Sequence, residues 1–524
     1  MGKAAPMPLS NADALLTRSL GMLTMFLRAL SFVLAFLALA AMAVGPRITV
    51  VHAGEDLQHA LDNAAPADTI VLEAAAVFVG NFVLPAKSGS DMRPIVLKTA
   101  GDVIPQGTRM TPDMARTLAK LQSPNNQPAL RTERGARSWR VELVELRALD
   151  ERGGEIVALG DGSGAQRALA DVPSDLTLDR VYVHGEPTST ERRGISLNAA
   201  RVTITNSYVS DIKGVGYDTQ AIGGWNGPGD YLIENNYLEA AGENVMFGGG
   251  DPSIRNLTPT HIVIRRNTFS KPLRWRDEGA RWQIKNLFEL KNARDVTVEQ
   301  NVFEHNWQQA QSGYAIVLTV RNQDGGCPWC QVEQVRFRHN IVRDVAAGLQ
   351  ILGIDATHPS RQTNAIVIAD NLFENIDSRR WGGDGYFLQL TDTPRDILID
   401  HNTVVQQTSG GVVKIEGIVE AFTFTNNIAS HGAYGIIATN HGVGNDSIRA
   451  SLPRSTITAN VLAGGDANLY PSGNLFPTPE ELGRQFVNVP AGDFRLVPAS
   501  AWARRGTDGR PLGADVSQLP AAGR

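Results

Sequence analysis

A chain of 524 residues with a formal net charge of −5 has no cationic surplus with which to hold a phosphate backbone, which argues against nucleic acid as its main partner. Its two cysteines are too few for a structural zinc site. Fifty-one glycines and twenty-seven prolines suit a fold with many tight corners.

The first predicted element is an apolar stretch of sixteen residues, Ala29 to Val44, preceded by Lys3, Arg18 and Arg28 and containing Ala41, Met42 and Ala43. A membrane-spanning helix needs about 20 residues, so this length fits a secretory signal with cleavage after Ala43; an uncleaved anchor is the alternative. Met22 and Met25 would each begin a signal of ordinary proportions. Removing residues 1–43 takes away those three basic residues and Asp13, moving the net charge from −5 to −7. The expected location is secreted, periplasmic or cell-envelope, with no membrane span after processing.

Residues 50–85 follow as short apolar runs around a predicted amphipathic helix, Asp56 to Asn63. A short cadence then recurs: an apolar residue, asparagine three positions later, then an apolar pair. It reads IENNYL, IRRNTF, VEQNVF, FRHNIV, IADNLF, IDHNTV, FTNNIA and ITANVL, with ITNSYV as a serine-bearing copy. Equivalent positions, Ser207, Asn236, Asn267, Asn301, Asn340, Asn371, Asn402, Asn427 and Asn460, lie 25 to 39 residues apart, the spacing of a solenoid. Each copy follows alternating Val and Ile, as in HIVIRRN and DILIDHN, which is strand patterning. A second strand-like run precedes each copy, and no window offers apolar residues at helical spacing. Short strands with variable corners describe an all-β parallel β-helix, its asparagines satisfying backbone groups at a bend.

On this cadence, residues 195–465 resemble the right-handed parallel β-helix proteins of the pectate-lyase-like superfamily. Residues 50–85 are similar to the opening segment of such helices, whose short helix covers the apolar end, and 492–516 to their closing segment. The resemblance implies one β-helix domain over 48–516. It assigns no reaction, because this superfamily hosts lyases, hydrolases, epimerases and adhesins.

Two strands carry the densest chemistry. In NLFELKN, residues 286–292, alternation puts Phe288 and Leu290 inside and Glu289 and Lys291 outside. In AIVLTVRN, residues 315–322, it puts Thr319 and Arg321 outside; aligning Asn292 with Asn322 stacks Arg321 over Lys291. Forty arginines against nine lysines make an outward lysine informative, because an amine can give up its proton and a guanidinium cannot. A lysine beside Arg321 suits a general base; the plain alternative is a same-face ion pair between Glu289 and Lys291, worth less than ~1 kcal/mol.

This layout looks like that of β-helical alginate lyases and chondroitin B lyases, which pair a strand lysine with an arginine from the next turn. The resemblance implies Lys291 and Arg321 as catalytic residues, and calcium held by Glu289 with Glu243 and Asn244 of the preceding rung. Two departures stand against it: no acids spaced by one residue precede Lys291, and the thirty residues from Lys291 to Arg321 include the insert EHNWQQAQSG. Arg265, Arg266, Arg274, Arg281 and Lys285, interleaved with Trp275 and Trp282, read as subsites for an acidic polysaccharide or as a solvated loop. Asp355 and His358, with Asp324, Asp384 and Asp392, fall just beyond successive strands and could line one rim. Cys327 and Cys330 lack thioredoxin-type flanks and read as a local disulfide.

The leading expectation is a monomeric polysaccharide lyase that cleaves a uronate polymer by β-elimination, with a tyrosine such as Tyr314 or Arg321 as acid. A β-helical glycoside hydrolase or epimerase and a non-catalytic glycan-binding solenoid are the alternatives. The first is weakened by the lack of the Asn-Thr-Asp and Gly-His-Gly signatures of β-helical polygalacturonases.

Overall fold

The computed structural model describes residues 1–4, 45–89, 92–101, 104–148, 153–277, 279, 281–407 and 410–521. The expected signal segment, 1–43, falls almost wholly outside these. Among the described residues no helix is long and apolar enough to cross a membrane. Ile48–Arg524 forms one compact unit, separate from Met1–Arg47.

Among the described residues of that unit, the strands build three long sheets. The first has fourteen strands, from Ile48–Val51 to Thr456–Thr458; the second thirteen, from Val77–Val79 to Val461–Ala463; the third twelve, from Phe82–Leu84 to Ile436–Ala438. Each coil visits the sheets in turn. Thr260–Arg265 lies in the first, Thr268–Ser270 in the second and Asn286–Leu290 in the third, before Ala293–Glu299 returns to the first. Pairing within these three sheets is parallel throughout, as a parallel β-helix requires.

Alternation fills the interior with stacks of like residues. Ile264, Val298, Phe337, Ile368, Ile399 and Phe424 pair rung to rung and are all buried. Each fully buried aliphatic or aromatic side chain contributes about 1.5–3 kcal/mol, so the stacks are the main source of stability.

The asparagine cadence marks the corner between the first and second sheets. The residue before each asparagine is left-handed, for example Asn235 at φ 55°, Arg266 at 56° and Gln300 at 55°, a conformation that costs roughly 1–2 kcal/mol for an ordinary L-residue. The ladder offsets that cost. Asn267 N donates to Asn301 Oδ1 at 2.9 Å, and its Nδ2 to Ile233 O at 2.9 Å and to Asn301 Oδ1 at 3.0 Å. The same bonds repeat to Asn460, which donates to Asn474, a member outside the cadence. At the other end Ser207 substitutes, its Oγ accepting from Val181 N at 3.1 Å.

Both ends of the stack are covered. The predicted helix forms as Leu57–Asn63, with Asp56 accepting from His59 N and with Leu57 and Leu61 buried in the main core. Helix Asn445–Ser451 lies at the last coil, where Leu452 and Tyr470 join the core. The segment expected to close the helix instead runs along its flank. Phe486, Phe494, Trp502 and Leu512 pack on Ile341, Leu372 and Ile428 of the second sheet, and Gln300 Nε2 donates to Gln518 O.

Candidate functional site

Ionisable side chains lie on adjacent rungs of the outer face of the third sheet. In Asn286–Leu290, Leu287, Phe288 and Leu290 all enter the core, so only Asn286 and Glu289 project outward. The preceding rung, Glu243–Phe247, bends likewise: Glu243 lies in register with Asn286 and Met246 with Glu289. One rung earlier, Gln220 pairs with Glu243.

Three ion pairs result. Lys285 Nζ lies 2.5 Å from Asp218 Oδ1 and 3.4 Å from Glu243 Oε1, while Gln220 Nε2 donates to Glu243 Oε2 at 2.7 Å. Lys291 Nζ lies 3.5 Å from Glu289 Oε1. That oxygen also accepts from Thr319 Oγ1 at 3.1 Å, and Glu289 Oε2 accepts from Asn286 Nδ2 at 3.0 Å. Glu243 and Glu289 are 0% and 2% exposed. Burial, reinforced by Glu289, pushes the Glu243 carboxyl above its ordinary pKa against the pull of Lys285 and Lys291. Burial opposes the Lys285 ammonium, yet Glu243 and Asp218 outweigh it and raise its pKa. Room for Lys291 comes from Gly248, at φ 94°, where an added Cβ would fall 2.6 Å from Asn292 N and 2.9 Å from Lys291 Cβ.

The register differs from the one expected. Glu289 pairs with Val317 and Leu290 with Leu318, which brings Thr319, not Arg321, beside Lys291. Asn292 and Asn322 are no guide to register because they serve different loops: Asn292 Nδ2 donates to Leu257 O, and Asn322 Nδ2 to Pro359 O. Arg321 N still donates to Lys291 O at 2.9 Å, but its guanidinium turns to Asp355 Oδ1 at 2.8 Å. Burial works against the Asp355 carboxylate, while the Thr357 and Asn322 N–H groups and Arg321 hold its pKa below the ordinary value. His358 Nδ1 lies 3.0 Å from Asn322 O, so Asp355, His358 and Arg321 share the rim at the corner leaving this sheet.

Other expected site residues lie apart. Asn244 occupies the inward position matching Leu287, and its Nδ2 donates to Leu238 O and Ser270 O. Arg265 and Arg266 belong to the first sheet and its corner, where both pair with Glu234. Trp275 and Trp282 are each 1% exposed, packed with Ile284, Trp307 and Trp381, so neither offers a free ring face to a sugar. Arg274 bonds Asp211 and Glu239, and Arg281 lies 4.4 Å from the Trp282 ring. Of that basic run only Lys285 joins the Lys291 network. Cys327 and Cys330 form a disulfide, both buried in the core.

Sequence patterns passed over Asp218, Gln220 and Asn286. The signal for Gln220 and Asn286 was rung register: both head strands of the third sheet beside Glu243. Further along this face Tyr314 OH donates to Asp384 at 3.1 Å, burial and then Asp384 pushing the phenol pKa up, and Lys414 lies between Asp384 and Glu416. A cavity of about 610 Å³ opens elsewhere, between Arg109, Arg266, Arg343 and Leu519; of the expected site residues only Arg266 lines it, and none of the third-sheet groups does.

The calcium that the resemblance implies fits this donor set poorly. Calcium takes 6–8 oxygen ligands, yet among the described residues no group of three His, Cys, Asp or Glu could hold a metal. Glu243 and Glu289 each already face a lysine ammonium, and Asn244 points away.

No protein-family model matches this sequence, and neither does any curated protein. Among solved structures, an alginate lyase from Paenibacillus is 16% identical, covering 78% of this chain and 99% of its own, with a TM-score of 0.33. An α-1,3-glucanase catalytic unit from Streptomyces thermodiastaticus is 13% identical over 83% and 70%, at 0.46. A mannuronic acid-specific lyase from human gut microbiota is 11% identical over 80% and 87%, at 0.42. Similarity this low assigns no activity; the architecture rests on the strand pairing itself.

Proposed function

We propose that the protein is an exported enzyme that cleaves a uronate-containing polysaccharide by β-elimination along the outer face of the third sheet. The observation that carries this reading is the Glu289–Lys291 pair: a nearly buried carboxylate, held by Asn286 and Thr319, fixes a lysine whose side chain is 14% exposed on a long sheet face. A polymer is the natural ligand of such a face, which continues rung after rung to Lys414 and Glu416. The buried disulfide accords with an oxidising compartment.

Lys291, once its ammonium has given a proton to solvent, removes the C5 proton; Glu289 fixes the amine, and Arg321 on the rim neutralises the uronate carboxylate, which acidifies the C5 proton. Tyr314, kept protonated by its surroundings, donates to the departing 4-linked oxygen. A positioned base supplies typically ~100 to 10,000-fold. Lys291→Arg is the sharpest test because it keeps the positive charge and cannot act as a base. With alginate, pectate and chondroitin as substrates, ultraviolet absorbance of the new double bond should appear with the wild type and fall at least about 100-fold in the variant. Reducing ends without absorbance would indicate hydrolysis, and binding without product a glycan-binding solenoid.

A further inference from the structure

Lys285 has a place that an arginine-rich surface does not explain. Its ammonium sits between Asp218 and Glu243, with its side chain 12% exposed. Near it lie buried oxygens, Glu243 Oε1, Gln220 Oε1 and Asn286 Oδ1, that accept no hydrogen bond from any other group among the described residues, and Gln220, Glu243 and Asn286 are each 0% exposed. They stand on three successive rungs in register, so neighbouring side chains are about 4.8 Å apart. With the Asp218 carboxylate, which meets the same ammonium, they make two carboxylates and two amide oxygens, the donor types that a hard cation takes. Oxygen acceptors buried without donors are rare and call for an explanation; here the one cation among them is the chain's own.

We propose that Lys285 is the resident cation of this site, its ammonium taking the place a divalent ion would occupy among Asp218, Glu243, Gln220 and Asn286, so that the protein binds no calcium there. The inference concerns the same face as the proposed lyase centre but does not depend on cleavage, and its test reads metal binding and thermal unfolding. The two ideas therefore fail separately. The site also gains a distinguishing chemistry: a lysine delivers one positive charge on a covalent tether, insensitive to chelators, where a bound metal would be lost on dialysis.

The experiment uses the purified full chain and calcium chloride, followed by equilibrium dialysis and thermal unfolding. The wild type should show no saturable calcium binding up to about 1 mM, the weak end of protein calcium sites, and the same Tm with calcium or chelator. Lys285→Met removes the ammonium and leaves the oxygens, so it should bind one calcium and rise in Tm as calcium is added, as linkage requires. Adding Glu243→Gln to it should abolish both effects. Lys285→Arg, which keeps a cation in place, should bind none, and Lys285→Gln, which also removes the charge, takes over the test if the methionine variant does not fold. One calcium bound by the wild type and lost in Glu243→Gln overturns the proposal, as does a folded Lys285→Met that binds none.

Discussion

Thr319 Oγ1 donates to Glu289 Oε1 at 3.1 Å across adjacent rungs of the third sheet. This hydroxyl, rather than the Arg321 guanidinium, is what the next coil offers to the Glu289–Lys291 pair. Thr319→Val keeps the shape and removes the donor, and a hydrogen bond to a charged group contributes about 1.5–3 kcal/mol. The expected outcome is a Lys291 held less firmly: unfolding free energy lower by about 1.5–3 kcal/mol and polysaccharide cleavage slower by roughly 10-fold. Cleavage at the wild-type rate would separate Glu289 from the reacting centre.

The asparagine ladder makes a sharper prediction about stability. Asn301 Oδ1 accepts from both Asn267 N and Asn267 Nδ2, and Asn301 Nδ2 donates to Ile264 O and Asn340 Oδ1. Asn301→Ala strands a buried backbone N–H, each such group costing about 1–3 kcal/mol, so a loss of roughly 3 kcal/mol is expected in urea unfolding. Asn301→Ser should lose less, because Ser207 already accepts the N–H of the preceding coil with its hydroxyl. Equal losses for alanine and serine would mean that side-chain volume, not the acceptor, is what the corner needs.

This ladder also shows why the fold could be read from sequence while the site could not. A corner that repeats must solve the same backbone problem on every coil, so its residue type recurs, and Asn236 to Asn460 announce coil after coil. Arg321 and Asn244 were misplaced for the opposite reason. Several third-sheet strands turn two adjacent residues inward at their start, as Ala221 and Ile222, Leu287 and Phe288, and Ala315 and Ile316 do, so strict alternation mislabels the position that Asn244 fills. The loops after this sheet vary in length, and Asn292 and Asn322 bond to different ones, so no sequence marker carried the register from Lys291 to Arg321. Trp275 and Trp282 looked like sugar platforms because composition does not reveal that Trp307 and Trp381, from later coils, cover them.

Glu239 should give the protein a measurable pH dependence. It lies on the second sheet, accepting from Asp211 N at 3.1 Å and from Tyr237 OH at 3.2 Å. Burial, then the nearby Asp211, raises its pKa to about 7 against the Asp211 N–H and Arg274. In the unfolded chain it titrates near 4.3, so as pH rises from about 4.3 to about 7 the unfolded state sheds a proton that the folded state keeps, and stability falls, by roughly 4 kcal/mol in all. Below about 4.3 this group adds no slope. Glu239→Gln removes the titration, so its unfolding free energy measured in urea should decline less than that of the wild type across this window. Parallel curves for the two proteins would show that Glu239 ionises in the folded state as it does in water.

Lys271 is fully buried and reaches no solvent. Its Nζ donates to Ala240 O at 2.8 Å, Ala241 O at 3.0 Å, Gly242 O at 2.8 Å and Asn244 Oδ1 at 3.1 Å. Those three carbonyls form the corner from which Glu243 enters the third sheet, so the amine ties the floor of the candidate site to the strand before it. Lys271→Met fills the space but leaves four buried acceptors without that donor, each costing about 1–3 kcal/mol, so about 4 kcal/mol or more in all. A loss of that size in urea unfolding is expected, together with weaker cleavage, because the corner no longer holds Glu243 against Lys285. A loss below about 1 kcal/mol, the net worth of a single hydrogen bond, would mean that water replaces the amine at the corner and that Lys271 does not position the site.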